Sequence, residues 1–190
     1  MSIAERTFMD IAIGTRAPQR IVFKLFARKC PIAVRNFVEL CTGVLPAGVD
    51  DPRGKERLAA EDAFPALTYR NSVFHRVEKG YLIQGGDIVT ATGTGQLSIY
   101  GDSFSAPEEV SASVFDRRGL VGTACSSPNA NGSQFFVLTR DGATHLNGTC
   151  ICFGEVIKGF DVVREIEQVP VDPSGFPSLS VSVVDCGVLK

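Results

Sequence analysis

Short runs in which apolar and polar residues alternate, each closed by Gly or Pro, constrain this chain more than any other feature. A strand repeats every second residue, so such runs read as half-buried strands, whereas helices need longer runs with a period of 3.6. Thr7–Ile13 alternates, and Gln19–Phe26 does so again after the turn signal Arg16-Ala17-Pro18, which predicts an antiparallel pair. Further runs follow at 72–77, 81–84, 119–124, 134–139, 151–157 and 179–184. Only two segments carry a helical period. Pro31 opens PIAVRNFVELCTG, where Ile32, Val34, Phe37, Val38 and Cys41 recur at three- and four-residue spacing until Gly43, and Phe160–Val169 fits a second helix. Many short strands and two helices predict a mainly β fold, a barrel or sandwich capped by those helices.

The 190 residues suffice for one domain with a real core, and 44% hydrophobic with 21% charged residues is ordinary for a globular chain. We therefore expect a single domain over residues 1–190. Its one irregularity is a Pro-, Gly- and charge-punctuated stretch at 44–71, read as a long inserted surface loop in which KERLAAED supplies one helical turn. A formal net charge of -2 without a Lys/Arg cluster offers no footprint for a phosphate backbone, which excludes nucleic acid as a first reading. No stretch has the length of a membrane span, and the first residues contain no secretory apolar segment, so the expected setting is cytoplasmic, or nuclear by diffusion. Six cysteines at 30, 41, 125, 150, 152 and 186 form no C-x-x-C pair. A site made from Cys125, His145 and Cys150 matches no standard zinc spacing, so no metal is expected.

FHRVEKGYLIQGGD at 74–87 sets one cation, Arg76, beside an apolar run. Two readings are open: a surface charge whose stem packs while its head stays wet, or a fixed donor at the rim of an apolar pocket. The wider context separates them. FHRVEKGYLIQGGD, then TGTGQLSIYGDSF at 92–104, then PNANGSQFFV at 128–137 resemble the cyclophilins in order and spacing, as do RIVFKLFARKCPIAVRNFVELCTG and the terminal VVDCGVL. The resemblance covers the chain except for about 44–66. It implies a closed eight-stranded antiparallel β-barrel capped by two α-helices, and catalysis of cis/trans isomerisation of X-Pro bonds.

By that resemblance Arg76 is the catalytic residue, a guanidinium near the prolyl nitrogen. Tyr81, Leu82, Phe136 and Leu146 match the wall of a proline pocket. Gln84 matches the glutamine that orients the arginine, while Gln134, Gly93, Ala124 and Cys125 line the adjoining groove. His75 reads as a buried, hydrogen-bonded structural histidine. Thr94, Asp102, Ser103, Thr123, Ser126 and Ala130 read either as the rim of an open second pocket or as the short polar residues common in turns. Apart from the resemblance, Leu82 and Phe136 read as core residues and Gly85-Gly86 as a turn or bulge.

The departures from the family pattern bear on affinity. His145 stands where many members carry a rim tryptophan, and the chain has no Trp. Cyclosporin is therefore expected to bind more weakly. Cys150 replaces a histidine near the proline pocket and is expected to weaken substrate binding, since a thiol bonds hydrogen poorly. The expected ligands are proline-containing peptides and proteins, bound by a monomer without cofactor. The alternative is a weakly active or inactive proline-peptide binding module in a larger assembly. Cys41 and Cys186 match the cysteines of divergent-loop cyclophilins, which implies a redox pair, against the simpler reading of two buried thiols packing as small hydrophobes.

Overall fold

Arg6–Ile13 (β1) and Gln19–Leu25 (β2) pair antiparallel, with Thr7 opposite Phe23 and Met9 opposite Ile21. This is the hairpin that the alternation predicts. The computed structural model describes residues 4–44, 67–125, 127 and 129–189, and every residue-level statement below concerns these. Six more strands complete the sheet: Phe74–Glu78 (β3), Leu82–Gly85 (β4), Leu120–Cys125 (β5), Asn131–Leu138 (β6), Cys152–Lys158 (β7) and Val181–Val188 (β8). Their order is β3-β4-β6-β5-β7-β2-β1-β8, antiparallel at each ladder. The two ends of this sheet meet. Val73 bridges Ser182, and Asn71 N–H donates to the Val183 carbonyl at 2.7 Å, so few edge groups stay unpaired.

Pro31–Thr42 (α1) starts on a proline, whose missing N–H and fixed φ cost nothing there, and ends at Gly43 with φ +70°. Cys30 supplies no side-chain cap. The buried Glu109 carboxylate does so instead, accepting the N–H groups of Ile32 at 2.7 Å and Ala33 at 3.1 Å. Glu109 lies on a third helix that the sequence reading missed, Pro107–Ser111 (α2), which is too short to display a period. Ile32, expected on the core face, is 39% exposed, while Ala33 and Leu40 are buried beside Val34, Phe37, Val38 and Cys41. The second expected helix is Phe160–Glu167 (α3), burying Val162, Val163 and Ile166.

Phe37 plugs one end of the barrel, with ring centroids 5.6 Å from Phe23, 5.4 Å from Phe135 and 5.0 Å from Phe153. A ring buried to that degree contributes roughly 3 to 5 kcal/mol relative to alanine. A smaller apolar cluster lies apart from this core and contains Leu82, Phe115, Leu120, Phe136, Leu138, Ala143, Cys150 and Cys152. The two clusters follow from the pleat. On β4, β6 and β5 the residues Ile83, Phe135, Val137 and Val121 belong to the main core, and their neighbours Leu82, Phe136, Leu138 and Leu120 belong to the second cluster. The strands are thus apolar on both faces, and the outer face carries the candidate site. No helix among the described residues is long and apolar enough to cross a membrane.

Candidate active site

Strand register puts Arg76, Gln84, Phe136 and Gly122 in one row across β3, β4, β6 and β5. Residues directly opposite share a face, so this row runs along the outer surface. Simple alternation along β3 would instead set Arg76 on the same face as Phe74, which is in the core. A register shift between Phe74 and Arg76 resolves the conflict. His75 is the extra residue of a bulge, and bulges re-aim the side chains that follow. The bulge is why a buried Phe and a groove-facing Arg stand two positions apart.

Arg76 Nη1 donates to Gln84 Oε1 at 3.0 Å, and the other arm pairs with Glu78 on the same strand face. Gln84 Nε2 then donates to Gln134 Oε1 at 3.0 Å, and Gln134 Nε2 to the carbonyls of Gly93 at 3.0 Å and Gly95 at 2.7 Å. Each amide in this relay has one orientation that satisfies both neighbours, so the guanidinium is held as a fixed fork. Glu78 was not anticipated from the sequence.

The relay ends in a loop organised by Asp87, another residue that sequence reasoning passed over. Asp87 is 1% exposed. Its carboxylate accepts the N–H groups of Val89 (3.0 Å), Thr90 (2.8 Å), Gly93 (2.8 Å) and Gly95 (3.0 Å), and the Thr90 hydroxyl at 2.6 Å. Burial pushes this carboxyl up, but the Thr90 hydroxyl and the backbone donors outweigh it and hold the group well below the usual carboxylate range. QGGD places an acid before a Thr/Gly-rich turn, but nothing in it marks that acid as buried.

Gly93 has φ +89°, and a Cβ there would lie 2.7 Å from the His75 ring, so the loop folds directly over that histidine. His75 is buried as expected; neither ring nitrogen makes a hydrogen bond of good geometry among the described residues, but the Gln134 side chain and the Val73 backbone lie close enough to favour its protonated form. Burial holds its pKa below the ordinary value, with Arg76 adding to that and Asp87, Gln134 and the Val73 backbone opposing it. The folded ring thus takes up a proton at lower pH than the unfolded one. Stability is expected to fall as pH drops below about 6.5, where only the unfolded chain binds the proton. Denaturant midpoints across that window check this, and His75→Gln should flatten the slope; an equal slope in both proteins contradicts it.

The apolar part of the site is the second cluster, against which Tyr81, Ala124, Cys125 and Leu146 pack. Phe136 lies over Gly122, where a Cβ would meet its Cζ at 2.4 Å, and its ring stacks tilted against Phe115 at 5.5 Å. A 3₁₀ turn at Thr144–Leu146 carries His145 and Leu146, and Cys150 N–H donates to the Leu146 carbonyl at 3.1 Å. Tyr81 Oη lies 2.7 Å from His145 Nε2. Beside this floor, a cavity of about 130 Å³ is lined by Gln84, Gly93, Thr94, Ala124, Cys125 and Gln134, among others. The structure therefore gathers Arg76, Tyr81, Leu82, Gln84, Gly93, Ala124, Cys125, Gln134, Phe136, His145, Leu146 and Cys150 around one surface.

The expected rim of the second pocket is corrected in part. Thr94 lines the cavity, but Thr123 is buried with its hydroxyl donating to Asn131 Oδ1 at 2.7 Å, and Asp102 and Ser103 are exposed outside the cavity lining. Ala130 is half-buried, its carbonyl accepting Gln96 Nε2 at 3.1 Å, and Ser126 lies outside the described residues, as does KERLAAED. Cys41 and Cys186 are both free and buried, distant in sequence from the groove residues. Burial pushes both thiols up, Cys41 well up.

Residues 8–188 match the family model described as "Cyclophilin type peptidyl-prolyl cis-trans isomerase/CLD". The NK-tumor recognition proteins of Mus musculus and Homo sapiens are each 40% identical over 180 residues, covering 95% of this chain and 11% of their own length. The peptidyl-prolyl cis-trans isomerase cyp11 of Rhizopus delemar is 38% identical over 187 residues, covering 98% of this chain and 51% of that protein. The chain thus spans about a tenth to a half of the length of these curated relatives.

Proposed function

The chain belongs to the cyclophilin-type peptidyl-prolyl cis-trans isomerase family, and from that premise we propose that it isomerises X-Pro bonds in peptide and protein substrates through Arg76. Amide resonance sets a rotation barrier of about 18 to 20 kcal/mol, so unaided X-Pro exchange takes tens to hundreds of seconds. No covalent bond is made or broken. A catalyst needs only to bind the twisted amide better than the planar one.

The observation that carries this reading is the relay that fixes Arg76 beside an apolar floor. As the amide twists, the prolyl nitrogen regains its lone pair and becomes an acceptor for the guanidinium. That bond exists only near the transition state. A charge-assisted bond of roughly 1.5 to 3 kcal/mol supplies about one to two decades of rate. In this reading Tyr81, Leu82, Phe136 and Leu146 hold the proline ring, with Cys150 at the pocket's edge, and the cavity by Gly93, Ala124, Cys125 and Gln134 receives residues preceding it. Residues 1–190 act as one monomeric domain without cofactor, in the cytoplasm or nucleus; of the stretch expected as a surface loop, 45–66 lie outside the described residues, and Leu67 and Tyr69 are buried in the core.

An isomerisation assay on a short X-Pro peptide tests the proposal. Acceleration over the uncatalysed rate supports it; peptide binding without acceleration makes the chain a proline-binding module instead. Cyclosporin binding follows the same geometry. His145 is exposed and bonded to Tyr81 Oη, offering less apolar area than an indole. His145→Trp is expected to tighten cyclosporin on the order of fivefold, from the roughly 1 kcal/mol a well-placed aromatic contact adds. An unchanged inhibition constant contradicts the placement of His145 at the inhibitor rim.

A further inference from the structure

Four of the six cysteines are sealed in the barrel or its second cluster, and burial raises their pKa, Cys30 to about 12 and Cys152 to about 11. Cys125 and Cys150 differ. They lie where β5 and β7 extend past their ladder, beyond the Thr123 N–H to Ile151 carbonyl bond of 3.0 Å, and their sulfurs are 4.0 Å apart. Cys125 is half-exposed and lines the 130 Å³ cavity, while Cys150 is buried in the apolar cluster beside it. The pair therefore forms the wall between the two halves of the groove.

We propose that Cys125 and Cys150 are a thiol–disulfide exchange site in that wall, whose co-substrate is a small-molecule disulfide of the glutathione class. Either sulfur can donate across their 4.0 Å contact, and a protonated Cys125 also donates to the Thr149 carbonyl at 3.7 Å; with the shared proton on Cys150, the Cys125 thiolate is stabilised. This lowers Cys125 to about 7 against the opposing effect of burial, and raises Cys150. Accessibility and ionisation thus select Cys125 as the attacking group. Its thiolate attacks one sulfur of the small disulfide, forming a mixed disulfide and releasing one small thiolate. Cys150 then gives its proton to solvent and attacks Cys125 Sγ, releasing the second small thiolate. The protein dithiol is oxidised and the small disulfide is reduced to two thiols, so atoms and electrons balance.

A disulfide needs the sulfurs about 2.05 Å apart, against 4.0 Å in the reduced pair. Closing that gap draws the Cys125 wall toward Cys150 and changes both halves of the groove. Reduced peptide affinity in the oxidised form is the expected consequence, and this part rests on the isomerase reading of the groove.

The experiment equilibrates the whole chain with oxidised and reduced glutathione at graded ratios, quenches with acid, alkylates the free thiols and maps disulfides by mass. The expected result is one cross-link, Cys125 to Cys150, reversed by excess reduced glutathione. Cys150→Ser should instead accumulate glutathione on Cys125. Wild type that retains glutathione on Cys125 without a cross-link, or that forms Cys41–Cys186 first, overturns the proposal. Affinity for an X-Pro peptide, measured on the same samples, should fall roughly tenfold on oxidation; equal affinity overturns the effect on the groove. A reduced chain that binds no X-Pro peptide counts against the isomerase reading alone, because the cross-link is scored by mass.

Discussion

Arg76→Ala is expected to lower kcat/KM for an X-Pro peptide roughly ten- to hundredfold while changing the peptide dissociation constant far less. The split follows from when the bond forms: the planar ground-state amide has no free lone pair on nitrogen, so the guanidinium contributes mainly as the amide twists. The fold should survive. Arg76 has a side chain 41% exposed and sits on the outer face, and its ion pair with the half-exposed Glu78 contributes little to stability. Rates from a coupled assay beside dissociation constants from calorimetry check this. Equal losses in turnover and binding, or an unfolded variant, contradict it.

Asp87→Ala is expected to damage stability and activity together. The substitution removes the acceptor of the Val89, Thr90 and Gly93 N–H groups, which are part-buried, and of the Gly95 N–H, which is buried; among the described residues these bonds all converge on the one carboxylate. A loss of roughly 3 kcal/mol is expected, a melting shift on the order of 10 °C for a chain of this size. Gln134 then loses the carbonyls that orient it, and the relay to Arg76 loosens. Because the folded carboxyl lies below its ordinary 3.8, this stabilisation is present above that value and is lost as pH falls below it. A thermal melt of the variant that matches wild type would falsify the assignment.

How far the sequence discloses this structure depends on the range over which its signals act. Local period and punctuation were enough for β1, β2, α1 and α3, because alternation, Pro31 and Gly43 act within a turn or two. α2 escaped because five residues hold less than two turns, and its main contribution, Glu109 capping α1, is made across 76 and 77 positions. The residues gathered on the candidate surface were reached through ordered motifs, not through any one residue. The bulge at His75 was not legible: nothing in FHRV says that alternation breaks there, and only pairing with β4 decides which face Arg76 takes. Asp87 was hidden for the same reason. Apart from the Thr90 hydroxyl, its donors are backbone N–H groups, which carry no sequence signature.

The central claim is that a fixed, planar fork at Arg76, and not merely a positive charge, lowers the barrier to rotation. Two-dimensional NMR exchange on an X-Pro peptide, with wild type and Arg76→Lys, measures cis/trans interconversion of the bound peptide and its affinity in one sample. Lysine keeps the charge but replaces the fork with a mobile point charge. The account predicts fast bound-state exchange with wild type, and exchange slowed about tenfold or more with Arg76→Lys at similar affinity. Exchange as fast with lysine as with arginine, or a wild type that binds the peptide without speeding its exchange, contradicts the account.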